Sequence, residues 1–144
     1  MPDTALTDAA ARRTIAEALD ATLFVEAGAG SGKTTALVSR LVALVEAGHD
    51  LAATAAITFT EKAAAELRDR VRVALELAAE PGDQVAPSTA ERCRQAIDAL
   101  DGAAIGTLHA FAQRLLREHP VEAGLPPVVE VMDEIGSQVA FEER

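Results

Sequence analysis

Residues 22–35 read Thr-Leu-Phe-Val-Glu-Ala-Gly-Ala-Gly-Ser-Gly-Lys-Thr-Thr, and they constrain the fold more than any other stretch. A short apolar run, Leu23 to Val25, leads into a glycine-rich turn, and Thr35 to Val45 then has helical spacing. That is the strand–loop–helix setting of a phosphate-binding loop. Gly28, Gly30 and Gly32 carry no Cβ, so the backbone can curl until several N–H groups point at one phosphate. A helix beginning near Lys33 adds its positive end. The Lys33 ammonium suits β- and γ-phosphates, and the Thr34 hydroxyl suits a magnesium ion. The first position of the eight-residue motif is Ala27 instead of glycine. The nucleotide-binding set expected from the motif is Ala27, Gly28, Ala29, Gly30, Ser31, Gly32, Lys33, Thr34 and Thr35. Lys33 and Thr34 are its catalytic members, and Thr34 is the metal ligand. The expected cofactors are ATP and Mg2+.

The rest of the chain alternates apolar runs with helical patterns. Asp8–Leu19 reads as a helix, Leu23–Val25 as a strand, and Lys33–Ala47 as a helix ended by Gly48. Ala53–Phe59 reads as a buried strand. Glu61–Ala79 reads as a long amphipathic helix burying Leu67, Val71, Ala74, Leu75 and Ala78. Pro81–Pro87 is a loop. Ser88, with Glu91 three residues on, is a capping signature for a helix to about Leu100. Ala103–Gly106 reads as a short strand, and Leu108–His119 as a helix stopped by Pro120. Gly124–Pro127 is a connector, Val128–Met132 a further strand, and the acidic end Asp133–Arg144 a helix. This order predicts an α/β fold, a parallel sheet with helices on both faces. With the phosphate loop after the first strand, it is a P-loop NTPase core of the RecA-like kind. Ligands in such sheets sit at the carboxyl ends of the strands, so the tips after Phe59 and Gly106 fall on the edge of the phosphate loop.

Those two tips carry further motifs. Ile57-Thr58-Phe59-Thr60-Glu61-Lys62-Ala63-Ala64-Ala65-Glu66-Leu67 resembles the second signature of superfamily-one DNA helicases of the UvrD/Rep and RecB/AddA type. Ile105-Gly106-Thr107-Leu108-His109-Ala110-Phe111 resembles their Thr-x-His signature, and residues 27–34 resemble their variant of the phosphate loop. Leu115-Leu116-Arg117-Glu118-His119-Pro120 leans toward the RecB/AddA-like branch. The resemblance covers residues 27 to about 119. It implies an ATP-dependent DNA helicase that moves 3′ to 5′ on one strand, in repair or recombination. It also implies single-stranded DNA as partner, contacted by Thr58, Phe59, Thr60, Lys62, Thr107 and His109. Hydroxyls and N–H groups can hold phosphates without a basic surface, and Phe59 can stack on a base.

The same resemblance marks two departures. The glutamine that reads adenine in this family falls at Ala11 or Arg12, and no glutamine precedes Gln84; Arg12 or Arg13 can stack on a base instead. Asp133-Glu134 imitates the magnesium-binding pair, but Glu130 interrupts the apolar strand and Ile135-Gly136-Ser137 lacks the usual glutamine. The pair also comes before the helical subdomain that the family normally inserts. The chain is therefore expected to be part of a longer enzyme. Residues 1–119 would be the N-terminal part of its first RecA-like domain, and 120–144 a connector and the start of a helical subdomain. The remainder of the helicase chain is then its second partner, and these residues alone are expected to be inactive. A stand-alone nucleotide- or ssDNA-binding module, or a small P-loop ATPase using Asp133 and Glu134, remains the alternative.

Bulk properties set the outer limits. The chain has 144 residues, 49% of them hydrophobic, enough for a packed core. Net charge is −10, which argues against a nucleic-acid-coating surface. The charge is uneven: residues 120–144 hold one Lys/Arg against six Asp/Glu, whereas 61–119 hold eight against ten. A local DNA-contacting face is thus compatible with the overall charge. Arg68, Arg70 and Arg72 read as the wet face of their helix. A single cysteine, Cys93, excludes an internal disulfide and fits a reducing, cytoplasmic location. No apolar stretch approaches membrane-spanning length, so no membrane partner is expected.

Overall fold

The computed structural model describes residues 8–80 and 85–126. The chain forms two compact units, residues 1–107 and 108–144. In the first, the described elements are α1 (Ala9–Glu17), α2 (Lys33–Glu46), β1 (Ala55–Thr58), α3 (Glu61–Ala78), α4 (Pro87–Ala99) and β2 (Ala104–Thr107). The second contains α5 (Leu108–Glu118).

The two strands pair in parallel, with Ala56 opposite Ile105 and Thr58 opposite Thr107. Parallel neighbours need a crossover, and α3 and α4 supply it. Side chains alternate across the ladder. Ala56, Ile105 and Thr107 are buried, whereas Ala55 and Ile57 on the other face are exposed.

Helix α3 organises the core. Leu67, Val71 and Leu75 recur at four-residue spacing and are essentially inaccessible, and Ala64 continues the stripe toward the N-terminus. They pack with Val38, Leu41 and Val45 of α2, with Cys93, Ala96 and Leu100, and with Ile105 of β2. Ala74 and Ala78, expected on this face, are partly buried at its margin. Each end of the main helices has a physical reason. Thr60 caps α3: its Oγ1 accepts from the Ala63 N–H at 3.1 Å. After α2, the Gly48 N–H donates to the Val45 carbonyl and the His49 N–H to Leu44, both at 2.9 Å. That reciprocal closure needs a left-handed residue, and Gly48 has φ 97°.

Three expectations are corrected here. Leu23–Val25 joins no ladder among the described residues, and Phe24 and Val25 are 94% and 49% exposed. An apolar run becomes a buried parallel strand only where neighbouring strands satisfy its backbone groups, and the β1–β2 ladder does not extend to it. Helix α4 begins one residue before Ser88, because Pro87 takes the first helical position with Ala86 as N-cap. Proline suits that position, since its missing N–H has no intrahelical partner to lose. Arg68 is also more than a wet-face residue: its Nη2 donates to the Ile105 carbonyl at 2.7 Å, tying α3 to β2.

In the second unit, α5 carries a terminal Arg114–Glu118 pair at 2.7 Å. Beyond it, the Leu125 N–H returns to the Pro120 carbonyl at 2.8 Å, with Gly124 at φ 65°. The expected boundary at 119/120 lies within this second unit. Val128–Met132 and the acidic end, Asp133 and Glu134 included, lie outside the described residues.

Candidate nucleotide-binding and DNA-contacting site

The phosphate loop, Ala27–Thr35, runs as one turn into α2. Its shape depends on two glycines. Gly30 and Gly32 have φ of 74° and 84°, the left-handed region where a side chain is strained. Gly28 has no such φ, and a Cβ there would meet nothing within 4 Å. The Ser31 hydroxyl donates to the Gly28 carbonyl at 2.8 Å and closes the turn.

Gly32 is the N-cap of α2 and supplies no side-chain cap, and no acidic residue stands in the first turn. The N–H groups at the start of α2 therefore face outward with the positive end of the helix behind them. Lys33 folds back over the loop, its Nζ donating to the carbonyls of Ala27 at 2.9 Å and Gly28 at 2.7 Å. An ammonium has three donors, so one remains for an anion. Thr34 and Thr35 are exposed on the first turn. Among the described residues no group of three or more His, Cys, Asp or Glu is placed to hold a metal.

A cleft of about 350 Å³ adjoins the loop. Ala11, Ile15, Leu23, Val25, Ala36 and Leu37 give it apolar walls, and Arg12 and Arg40 stand at its polar margin. Both arginines hold main-chain carbonyls. Arg12 Nη2 donates to the Ser31 carbonyl at 2.6 Å and pairs with Asp8 at 2.8 Å. That hydrogen-bonded ion pair holds the Asp8 carboxyl below its ordinary value. The pair is thus intact at neutral pH and is lost as the pH falls through that depressed value. Arg40 spans the C-terminal end of α1, donating to the carbonyls of Ile15, Ala18, Leu19 and Ala21 at 2.7–3.3 Å. Ile15 and Ala18 lie at the end of α1, where carbonyls lack intrahelical partners and a cation meets the negative end of the dipole; Leu19 and Ala21 lie just beyond it.

The expected DNA-contacting residues divide between the two units. In the first, Thr58 donates to the Thr60 carbonyl at 3.1 Å, and the Thr60 hydroxyl caps α3. The two threonines shape a turn that leaves Phe59 between them fully exposed. Lys62 is exposed in the first turn of α3. Thr107 is buried, and its hydroxyl donates to Glu61 at 2.9 Å, which ties the end of β2 to the start of α3. His109 lies in the second unit, exposed in the first turn of α5. Neither Phe59 nor His109 is a core residue. Cys93 is fully buried, and burial pushes its thiol pKa up, which suits an inert side chain.

Sequence reasoning missed Arg40, Asp8 and Glu61. Arg40 and Arg12 act on main-chain carbonyls, which have no sequence signature. Glu61 had a weak signal, being acidic in a first helical turn.

Comparison with known proteins agrees with this geometry. The family described as the UvrD/REP helicase N-terminal domain matches residues 8–144. An ATP-dependent helicase/nuclease subunit from Heliobacterium modesticaldum is 40% identical over 114 residues, covering 78% of this chain and 8% of that protein. The protein of the same name from Latilactobacillus sakei is 32% identical over 122 residues, covering 85% and 14%. DNA helicase II of Haemophilus influenzae is 37% identical over 110 residues, covering 76% and 13%. The chain thus spans a small fraction, 8–14%, of the length of these relatives. With a family match over nearly the whole chain and a phosphate loop of the required geometry, the chain belongs to the UvrD/REP helicase N-terminal domain family.

Proposed function

We propose that this chain is the ATP-binding segment of an ATP-dependent DNA helicase, contributing the phosphate loop of its first motor domain. The observation that carries the reading is the loop itself. Gly30 and Gly32 are left-handed, α2 starts without a side-chain cap, and the Lys33 ammonium lies over the loop, a combination suited to an anion. Bound triphosphate would take the place of the Ala27 and Gly28 carbonyls as partner of Lys33. A magnesium ion, held by Thr34 together with phosphate oxygens, would neutralise developing charge when the γ-phosphoryl is transferred to water. The apolar cleft beside the loop would receive the base.

The names of the relatives support helicase work on DNA, and the two helicase/nuclease relatives, each one component of a larger enzyme, support an assembly with a further chain. In the whole protein we assign translocation 3′ to 5′ on single-stranded DNA, in repair or recombination, in the cytoplasm. Exposed Phe59 would offer a face to a base, with Thr58, Thr60, Lys62, Thr107 and His109 along the same strand. Asp133-Glu134 departs from the family's magnesium-binding pattern, so the chain by itself should turn ATP over negligibly. At net charge −10 it should also bind DNA weakly at physiological salt.

Calorimetry with Mg-ATP tests the central assignment. Lys33→Ala should weaken binding by about 10- to 100-fold, the loss of a charge-assisted contact, and leave the melting temperature nearly unchanged. Equal affinity in the wild-type chain and the variant would refute it.

A further inference from the structure

One residue outside the phosphate loop holds its backbone. Arg12, on α1, reaches 19 positions along the chain to the Ser31 carbonyl at 2.6 Å. The guanidinium is itself fixed, with Nε donating to Asp8 Oδ2 at 2.9 Å and Nη2 2.8 Å from the same oxygen. It also packs closely on the loop: a Cβ at Gly32 would lie 3.3 Å from Arg12 Nη1. No residue of α1 is buried, so this contact is not a by-product of core packing.

A trans peptide is planar, and its C=O and the following N–H point in opposite directions. A carbonyl of Ser31 held toward α1 therefore sends the Gly32 N–H to the other side of the loop. We propose that Arg12 is a positioning residue for phosphate binding: it fixes the Ser31–Gly32 peptide so that the Gly32 N–H faces the ligand. This rests on the reading of residues 27–35 as a nucleotide loop. Arg12 itself touches no phosphate. It removes one peptide rotation that binding would otherwise have to freeze, and Asp8 keeps the guanidinium in register.

The same arginine lies at the margin of the cleft beside the loop, so a contact with the base is the competing role. Inorganic tripolyphosphate, which has no base, separates the two. The full chain, Arg12→Ala and Arg12→Lys are titrated with Mg-ATP and with tripolyphosphate, and their melting temperatures are compared. Arg12→Ala should weaken both ligands by the same factor, about tenfold. Arg12→Lys retains a donor for the Ser31 carbonyl and should recover most of that loss for both ligands. Loss of ATP affinity with tripolyphosphate unchanged would overturn the proposal in favour of a base contact. Unchanged affinity for both ligands would overturn it outright. If Arg12→Ala fails to fold, Asp8→Asn decides. It should weaken both ligands about two- to threefold by releasing the guanidinium, and no change in tripolyphosphate affinity would overturn the proposal. A wild-type chain that binds neither ligand would instead bring down the nucleotide-loop reading beneath it.

Discussion

Helices α1 and α3 both lie against α2, and opposite physics holds them there. Helix α3 presents a continuous apolar stripe, and Leu67, Val71 and Leu75 are 2%, 0% and 0% exposed. Helix α1 has no fully buried residue; it is tied by Arg12 to the loop and by Arg40 at its C-terminal end. Close-packed apolar contacts are steep and unforgiving, so the α3 side behaves as a rigid base. Solvent-accessible polar tethers are worth less each and can be remade, which suits the wall of a site that must admit a ligand.

The largest expected effect falls on the base. Leu75→Ala should cost about 2–5 kcal/mol through lost burial and a residual cavity, seen as a lower denaturant midpoint. A cost under about 1 kcal/mol would mean that the α3 stripe is not the core it is taken to be. Arg40→Ala sharpens the contrast from the other side. Removing it takes a donor from the carbonyls of Ile15, Ala18, Leu19 and Ala21, at and just beyond the end of α1, and should speed hydrogen exchange in α1 roughly tenfold, with α3 amides unchanged. Equal acceleration in both helices would erase the distinction. The smallest effects fall on one turn. Thr60→Ala should lower stability by about 1 kcal/mol by removing a cap, and Thr60→Ser should restore it. Its neighbour Phe59→Ala should change stability by no more than about 0.5 kcal/mol. In the longer helicase proposed above, that variant should instead lower DNA-stimulated ATP hydrolysis while leaving nucleotide binding intact. Normal stimulation would remove Phe59 from the DNA path.

The same contrast explains which parts of the molecule were legible in the sequence. Apolar periodicity is a direct record of burial, so the α3 face, α2 and the parallel pair β1–β2 could be read from it. At residues 27–35 the glycines record backbone geometry, and Gly30 and Gly32 do take positive φ. Leu23–Val25 misled because a ladder needs a neighbour, and the run itself records only hydrophobicity. Pro87 outcompeted Ser88 at the start of α4 because a fixed φ outweighs a side-chain cap. Arg40 and Arg68 were indistinguishable from solvated charges, and Arg12 was read only as able to stack on a base, since the carbonyls that accept from them exist only once the chain has folded.

The measurement that bears most directly on the nucleotide loop and its tether is the backbone amide NMR spectrum of the chain, recorded as Mg-ATP is added. Shifts should concentrate at Gly28–Thr35, above all at Gly32, and extend into α1 through Arg12, with the amides of α3 from Leu67 to Leu75 unmoved. A loop that stays silent at saturating nucleotide, or shifts centred on α3, would contradict that assignment.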